Sequence, residues 1–192
     1  MPALWQDIYD TSLQLPSFLV FDASLILELS PDSYKAHPHH SVAVSFLKRV
    51  KSAIRARKVI ALLPIPALAE CYHVLCRRVI APQARASGTA NWLDYYKKNP
   101  TVISKALPSI NMFYKLLQAI PVEIPEPEAL ALSQPSTALL LADRVSDFMG
   151  RFSILAKDAM IIGEAERLGV FTLATLDGDW RRADGFTVIA PP

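Results

Sequence analysis

The sequence predicts an α/β domain, a three-layer α/β/α sandwich around a central parallel sheet, on two observations. Short apolar runs of strand length at 18–21, 59–63, 122–124, 171–175 and 186–189 alternate with longer segments of helical period. Hydrophobic residues make up 52% of the 192-residue chain against 20% charged, which is enough to bury a large core.

The elements follow in order. FLVF (18–21) is the first strand, and Asp22 closes it. From Val42 to Ala56, the apolar residues Val42, Phe46, Val50 and Ala53 share one face of an amphipathic helix. Val59 to Leu63 is the second strand, and Pro66 suits the first turn of a helix running through Glu70 towards Arg78. The segment APQARASGTANW then punctuates the chain. From Trp92 to Ala119, aromatic and aliphatic residues recur at helical intervals, interrupted at Pro100 and Pro108, and read as a helical insertion at about 82–120. After Val122 to Ile124, the stretch PEPEALALSQPSTALLLADRVSDFMG predicts two helices separated near Pro135. KDAMIIGEAERLG is a further helix, with Asp158 in its first turn and Gly169 as its stop. Without repeats, low-complexity tracts or a linker, residues 1–192 read as one domain.

Other classes are disfavoured. MPALWQDIYD has no basic head before an apolar block, so it does not read as a secretory signal. The longest apolar run, VIALLPIPALA, is broken by two prolines and is too short to span a bilayer. A soluble cytoplasmic protein with no membrane association is the expectation. Cys71 and Cys76 have no further cysteines for a zinc ribbon or disulfide framework, and read as packing residues in a reducing compartment. The net charge is only +2, yet Lys48, Arg49, Lys51, Arg55, Arg57 and Lys58 follow one another with no acid between them, a local positive patch.

Four acids stand where a parallel sheet can gather them. Asp22 and Asp177 each follow an apolar strand, and the carboxyl ends of strands form the ligand crevice of open α/β sheets. Glu70 lies in the apolar context PALAECYHVL, where an isolated charge is costly unless compensated. Asp158 opens a helix. Each has a structural explanation on its own: Asp22 as a helix cap, Asp177 in an Asp-Gly-Asp turn, Glu70 on a solvated face, Asp158 at a helix dipole. Together they repel one another unless a cation is bound, and all-oxygen ligation favours Mg²⁺ or Mn²⁺ over zinc. The joint placement supports Asp22, Asp158 and Asp177 more directly than Glu70, with Asp179 below all four.

In the order FLVFDASLILEL, PALAECYHVL and KDAMIIGEAERLGVFTLATLDGDW, the chain resembles the PIN-domain family, most closely its VapC-like bacterial toxin branch. The resemblance covers both ends of the chain and little of the middle. It implies a PIN-like sandwich that hydrolyses RNA phosphodiester bonds with one or two divalent ions. By that resemblance Asp22, Glu70, Asp158 and Asp177 form the catalytic and metal-binding quartet, and Asp179 is an auxiliary metal ligand. Ser24 and Thr175 become polar contacts near the substrate, an antitoxin protein would cover the crevice, and a homodimer is expected. Two departures stand out: a longer stretch between Glu70 and Asp158 than small toxins have, and Trp180 where phenylalanine is commoner.

RNA beside an acidic crevice needs cations for its phosphates. Candidates are Arg55, Arg57, Lys58, Arg77, Arg78, Arg181 and Arg182, although a solvated face explains most of them individually. KAHPHH, with His37, His39 and His40, reads as an exposed loop, and His73, three residues after Glu70, as packing or support near the site. One competing reading is a catalytically inactive PIN-like module that binds RNA or protein. Another is a phosphotransfer protein with Asp22 as nucleophile, which would need an acid at position 24, where Ser24 stands.

Overall fold

The computed structural model describes residues 3–30, 38–125 and 140–192, with the side chains of 140–143 excepted. Among the described residues five strands, β1 (Leu4–Asp7), β2 (Phe18–Phe21), β3 (Ile60–Leu62), β4 (Thr172–Ala174) and β5 (Thr187–Ala190), form one sheet in the order β1-β5-β4-β2-β3. Every pairing is parallel. Consecutive residues of a strand face opposite sides of the sheet. Leu19, Val20 and Phe21 are nonetheless all fully buried, as are Val188, Ile189 and Ala190, so both faces are covered. That is the three-layer α/β/α arrangement.

The helices are α1 (Ala23–Ile26), α2 (His40–Arg55), α3 (Ile65–Ala86), α4 (Trp92–Lys98), α5 (Leu107–Gln118), α6 (Leu140–Phe152) and α7 (Ala156–Arg167). Helix α2 buries Phe46 and Val50 of the expected stripe together with Ala43 and Leu47, while Val42 and Ala53 are half-buried at its margins. Its first residue is His40, so the histidine-rich segment ends in a helix and not wholly in a loop; His37 lies outside the described residues. His39 contacts the Tyr9 hydroxyl, and His40 Nδ1 lies 2.7 Å from Oε2 of the buried Glu28. Helix α3 has no side-chain cap of its own, and the buried Glu164 of α7 supplies an acceptor to its first turn at Ile65.

Three expectations need correction. Val122 to Ile124 does not form a strand; it adds a single parallel bridge, Leu62 with Glu123, to the edge of β3. The punctuation expected from Pro82 falls later, because α3 runs through that proline to Ala86 with Ile80 and Ala84 buried on either side. Strand β1 was not expected; it pairs with β5 in register from Leu4–Thr187 to Asp7–Ala190. Pro100 does interrupt the helices, opening a 3₁₀ stretch over Pro100–Ala106 between α4 and α5, whereas Pro108 sits in the first turn of α5, where proline is tolerated. Phe113 and Leu117 of α5 join the same buried cluster as the strands. The first helix expected before Pro135 lies outside the described residues.

Helix α7 ends at Gly169 with φ 68°, the left-handed stop its sequence predicts. Helix α6 ends differently, at Ser153 with φ 52°. An L-residue pays about 1–2 kcal/mol for that conformation, part of which a glycine returns in unfolded-chain entropy. Ser153→Gly is therefore expected to stabilise the fold by about 0.5–1 kcal/mol and raise Tm by about 1–4 °C in calorimetry. A lower Tm would show that the serine side chain contributes more than its backbone costs.

Candidate metal centre at the carboxyl edge of the sheet

Asp22 follows β2 directly and caps α1, so its position is set by the end of one element and the start of the next. Its Oδ2 accepts from Ser24 Oγ at 2.5 Å, from Ser24 N at 3.3 Å and from Thr175 Oγ1 at 2.8 Å. Thr175 follows β4, the neighbour of β2, and is fully buried. Both hydroxyls are oriented from behind: Leu176 N donates to Ser24 Oγ at 2.9 Å, and Asp177 N donates to Thr175 Oγ1 at 2.9 Å. With Oδ2 thus engaged, Oδ1 is the oxygen with capacity for a ligand. Ser24 and Thr175, expected near substrate, are the groups that hold Asp22.

Glu70 comes from the second turn of α3 and Asp158 from the first turn of α7. Asp22, Glu70 and Asp158 each offer an oxygen within 4.8 Å of the others. Oxygens that share one ion at 2.0–2.1 Å lie at most about 4.2 Å apart, so binding would draw these three carboxylates inward onto it. Three oxygens and no sulfur or imidazole fit Mg²⁺ or Mn²⁺. Glu70, which had the weakest case of the four in the sequence, belongs to this close group. Asp177 lines the same cavity, of about 550 Å³, but stands outside the close group and caps the following 3₁₀ turn through Asp179 N at 2.9 Å.

The electrostatics match an incompletely neutralised acid cluster. Burial pushes the Asp22 carboxyl up, against the hydrogen bonds from Ser24 and Thr175. Asp158 is raised from 3.8 to about 6, first by burial and then by the negative charges of Asp22, Glu70 and Asp177. Lys157, a residue that sequence reasoning passed over, places Nζ 3.1 Å from Glu70 Oε1 and lines the cavity. The signal for it was its position directly before Asp158 at the start of a helix.

Other expected residues are placed elsewhere. Asp179 pairs with Arg182 at 3.0 Å, and Arg182 also donates to the Ser153 carbonyl at 2.9 Å. The Arg181 guanidinium lies over the Trp5 ring of β1, 4.5 Å from its centroid. Neither arginine, nor Asp179, lines the acid cavity. His73 packs edge-on against Trp92 of α4, with centroids 5.1 Å apart. Cys71 is buried and Cys76 half-buried, both as free thiols. Among the described residues no helix is long and apolar enough to cross a membrane.

No family model and no curated protein matches the chain. Among solved structures, that of Mycobacterium tuberculosis VapC20, a Sarcin-Ricin loop cleaving toxin, is similar at 15% identity and a TM-score of 0.46. The similarity covers 88% of this chain and 95% of that one.

Two predictions follow from this geometry. Because the folded carboxyl of Asp158 is raised from 3.8 to about 6, folding takes up a proton between those values. That stabilisation is full below about pH 4 and is lost as pH rises through 6. Half-burial screens the effect, leaving about 1–2 kcal/mol. In chelator, urea unfolding should show the wild type losing stability from pH 5 to 7.5, and Asp158→Asn should flatten the dependence; an equal slope in the variant refutes the assignment. Thr175→Val removes one donor to Asp22 and leaves the Asp177 N–H without its acceptor, so equilibrium unfolding should register a loss of about 1–3 kcal/mol.

Proposed function

We propose that this chain is a divalent-metal-dependent endoribonuclease of the PIN type, hydrolysing RNA phosphodiester bonds at the carboxyl edge of its sheet. The observation that carries this reading is the approach of Asp22, Glu70 and Asp158 to within 4.8 Å of one another, in a cavity that Asp177 also lines. Mg²⁺ or Mn²⁺ would be held by these acids, with Asp177 facing the same space. When bound, such an ion lowers the pKa of a water and offsets charge on the phosphate.

The chain's own contributions can be named. Ser24 and Thr175 fix the rotamer of Asp22, so its free oxygen is aimed before any ligand arrives. Glu70 and Asp158 approach from two different helices, which makes their separation a property of helix packing. Lys157 pairs with Glu70 and lines the cavity, where its ammonium would donate to a phosphate oxygen. Leu27, Val74 and Leu155 supply the apolar wall.

A catalytically inactive PIN-like binding module is the weaker reading, since binding alone gives no reason to gather mutually repelling carboxylates. The nuclease reading includes a cytoplasmic setting, an inhibitory antitoxin-like partner over the crevice and a homodimer, as the family resemblance implies.

The test is incubation of the purified chain with structured and unstructured RNA in Mg²⁺, Mn²⁺ or chelator, beside Asp22→Asn. Metal-dependent cleavage should fall by at least about 100-fold in the variant, more than loss of a supporting contact produces. Wild-type turnover by a folded Asp22→Asn protein, with metal dependence verified, sinks the assignment.

A further inference from the structure

A second cleft lies at the opposite end of the sheet from the acids. It opens between the segment leading into β2, the helix α2 and the residues entering β3, and has a volume of about 770 Å³. Its polar lining is Gln14, Ser45, Lys48, Arg49, Ser52 and Lys58, with three cations and no acid. Arg49 is anchored, donating to the Asp10 carbonyl at 2.9 Å and the Leu13 carbonyl at 2.7 Å, so its remaining N–H groups have a fixed direction. Lys48 and Lys58 are exposed, and among the described residues they form no ion pair.

The positive charge continues past the cleft. Lys48, Lys51 and Arg55 stand at i, i+3 and i+7 along α2, a stripe about 10 Å long. Arg57 follows in the left-handed conformation, φ 56°, and lines a separate pocket with Glu123, so it stands outside the stripe. A strip of separated cations matches a repeating phosphate backbone better than one isolated phosphate. The strands between the two mouths are three or four residues long, about 10–13 Å, so one extended chain can reach both.

We propose that this cleft and the α2 stripe bind the phosphodiester backbone of RNA outside the scissile site, holding substrate that the acid crevice cuts. The choice of RNA as occupant rests on the nuclease reading above; the cationic cleft does not.

The experiment uses the full wild-type chain in chelator, so that nothing is cleaved, and a labelled unstructured 20-nucleotide RNA followed by anisotropy over a range of salt. Lys48→Gln/Lys58→Gln should weaken binding about tenfold at low salt and reduce the salt slope by about 1.4, as expected for two phosphate contacts on a single strand. Lys97→Gln/Lys98→Gln on α4, with the same change in net charge, should move both far less. Equal losses in the two double variants, or no loss in the first, overturn the proposal. Inorganic phosphate and a nucleoside monophosphate are titrated in parallel: lysine-dependent binding of these as tight as that of the RNA overturns it in favour of a small-phosphate site. Because cleavage is not read, a chain that binds RNA through Lys48 and Lys58 but never cuts it upholds this cleft and refutes the nuclease reading alone.

Discussion

The hydroxyls of Ser24 and Thr175 on one oxygen of Asp22 are the interaction on which the candidate site depends. Asp22 ends β2 and Thr175 follows β4, so the contact joins two neighbouring parallel strands at their carboxyl edge. A carboxylate this deeply buried is costly unless its hydrogen bonds are satisfied. Leu176 N and Asp177 N orient the two hydroxyls in turn, so backbone on the β4 side sets the direction of a side chain on the β2 side.

From that fixed point the cluster is assembled by helix packing. Glu70 and Asp158 ride on α3 and α7, and Glu164 in the later part of α7 reaches the first turn of α3 at Ile65. Burial and the neighbouring carboxylates raise Asp158, and Lys157 offsets part of the same gathered charge at Glu70. Electrostatic cost at this edge is a physical reason to expect a cation there. The opposite end of the sheet carries the complementary sign, with Lys48, Arg49 and Lys58 around a cleft without acids. The two clefts thus differ in the sign of most of their charged lining, which a net charge of +2 conceals.

Much of the fold was legible because it follows from local chemistry. FLVF, the α2 stripe and the Gly169 stop each needed only nearest-neighbour reasoning, and β2, α2 and α7 stand where the sequence placed them. The failures share a cause. Strand β1 is an edge strand of mixed polarity, and its existence depends on pairing with β5, far away in the chain. Pro82 should have stopped α3, but burial of Ile80 and Ala84 outweighs the local penalty. Val122 to Ile124 had the composition of a strand and found only the margin of β3 to pair with.

The sequence alone determined which acids could meet, since strand ends and helix starts on a parallel sheet point to one edge. It also showed the concentration of cations between Lys48 and Lys58. Only the tertiary structure decided the order among them. Glu70 moved into the closest group, Asp177 was set back, Asp179 was taken by Arg182, and Arg181 was drawn onto Trp5. Distances of a few ångströms between side chains on separate elements are fixed by how helices pack on the sheet. No spacing along the chain records that packing.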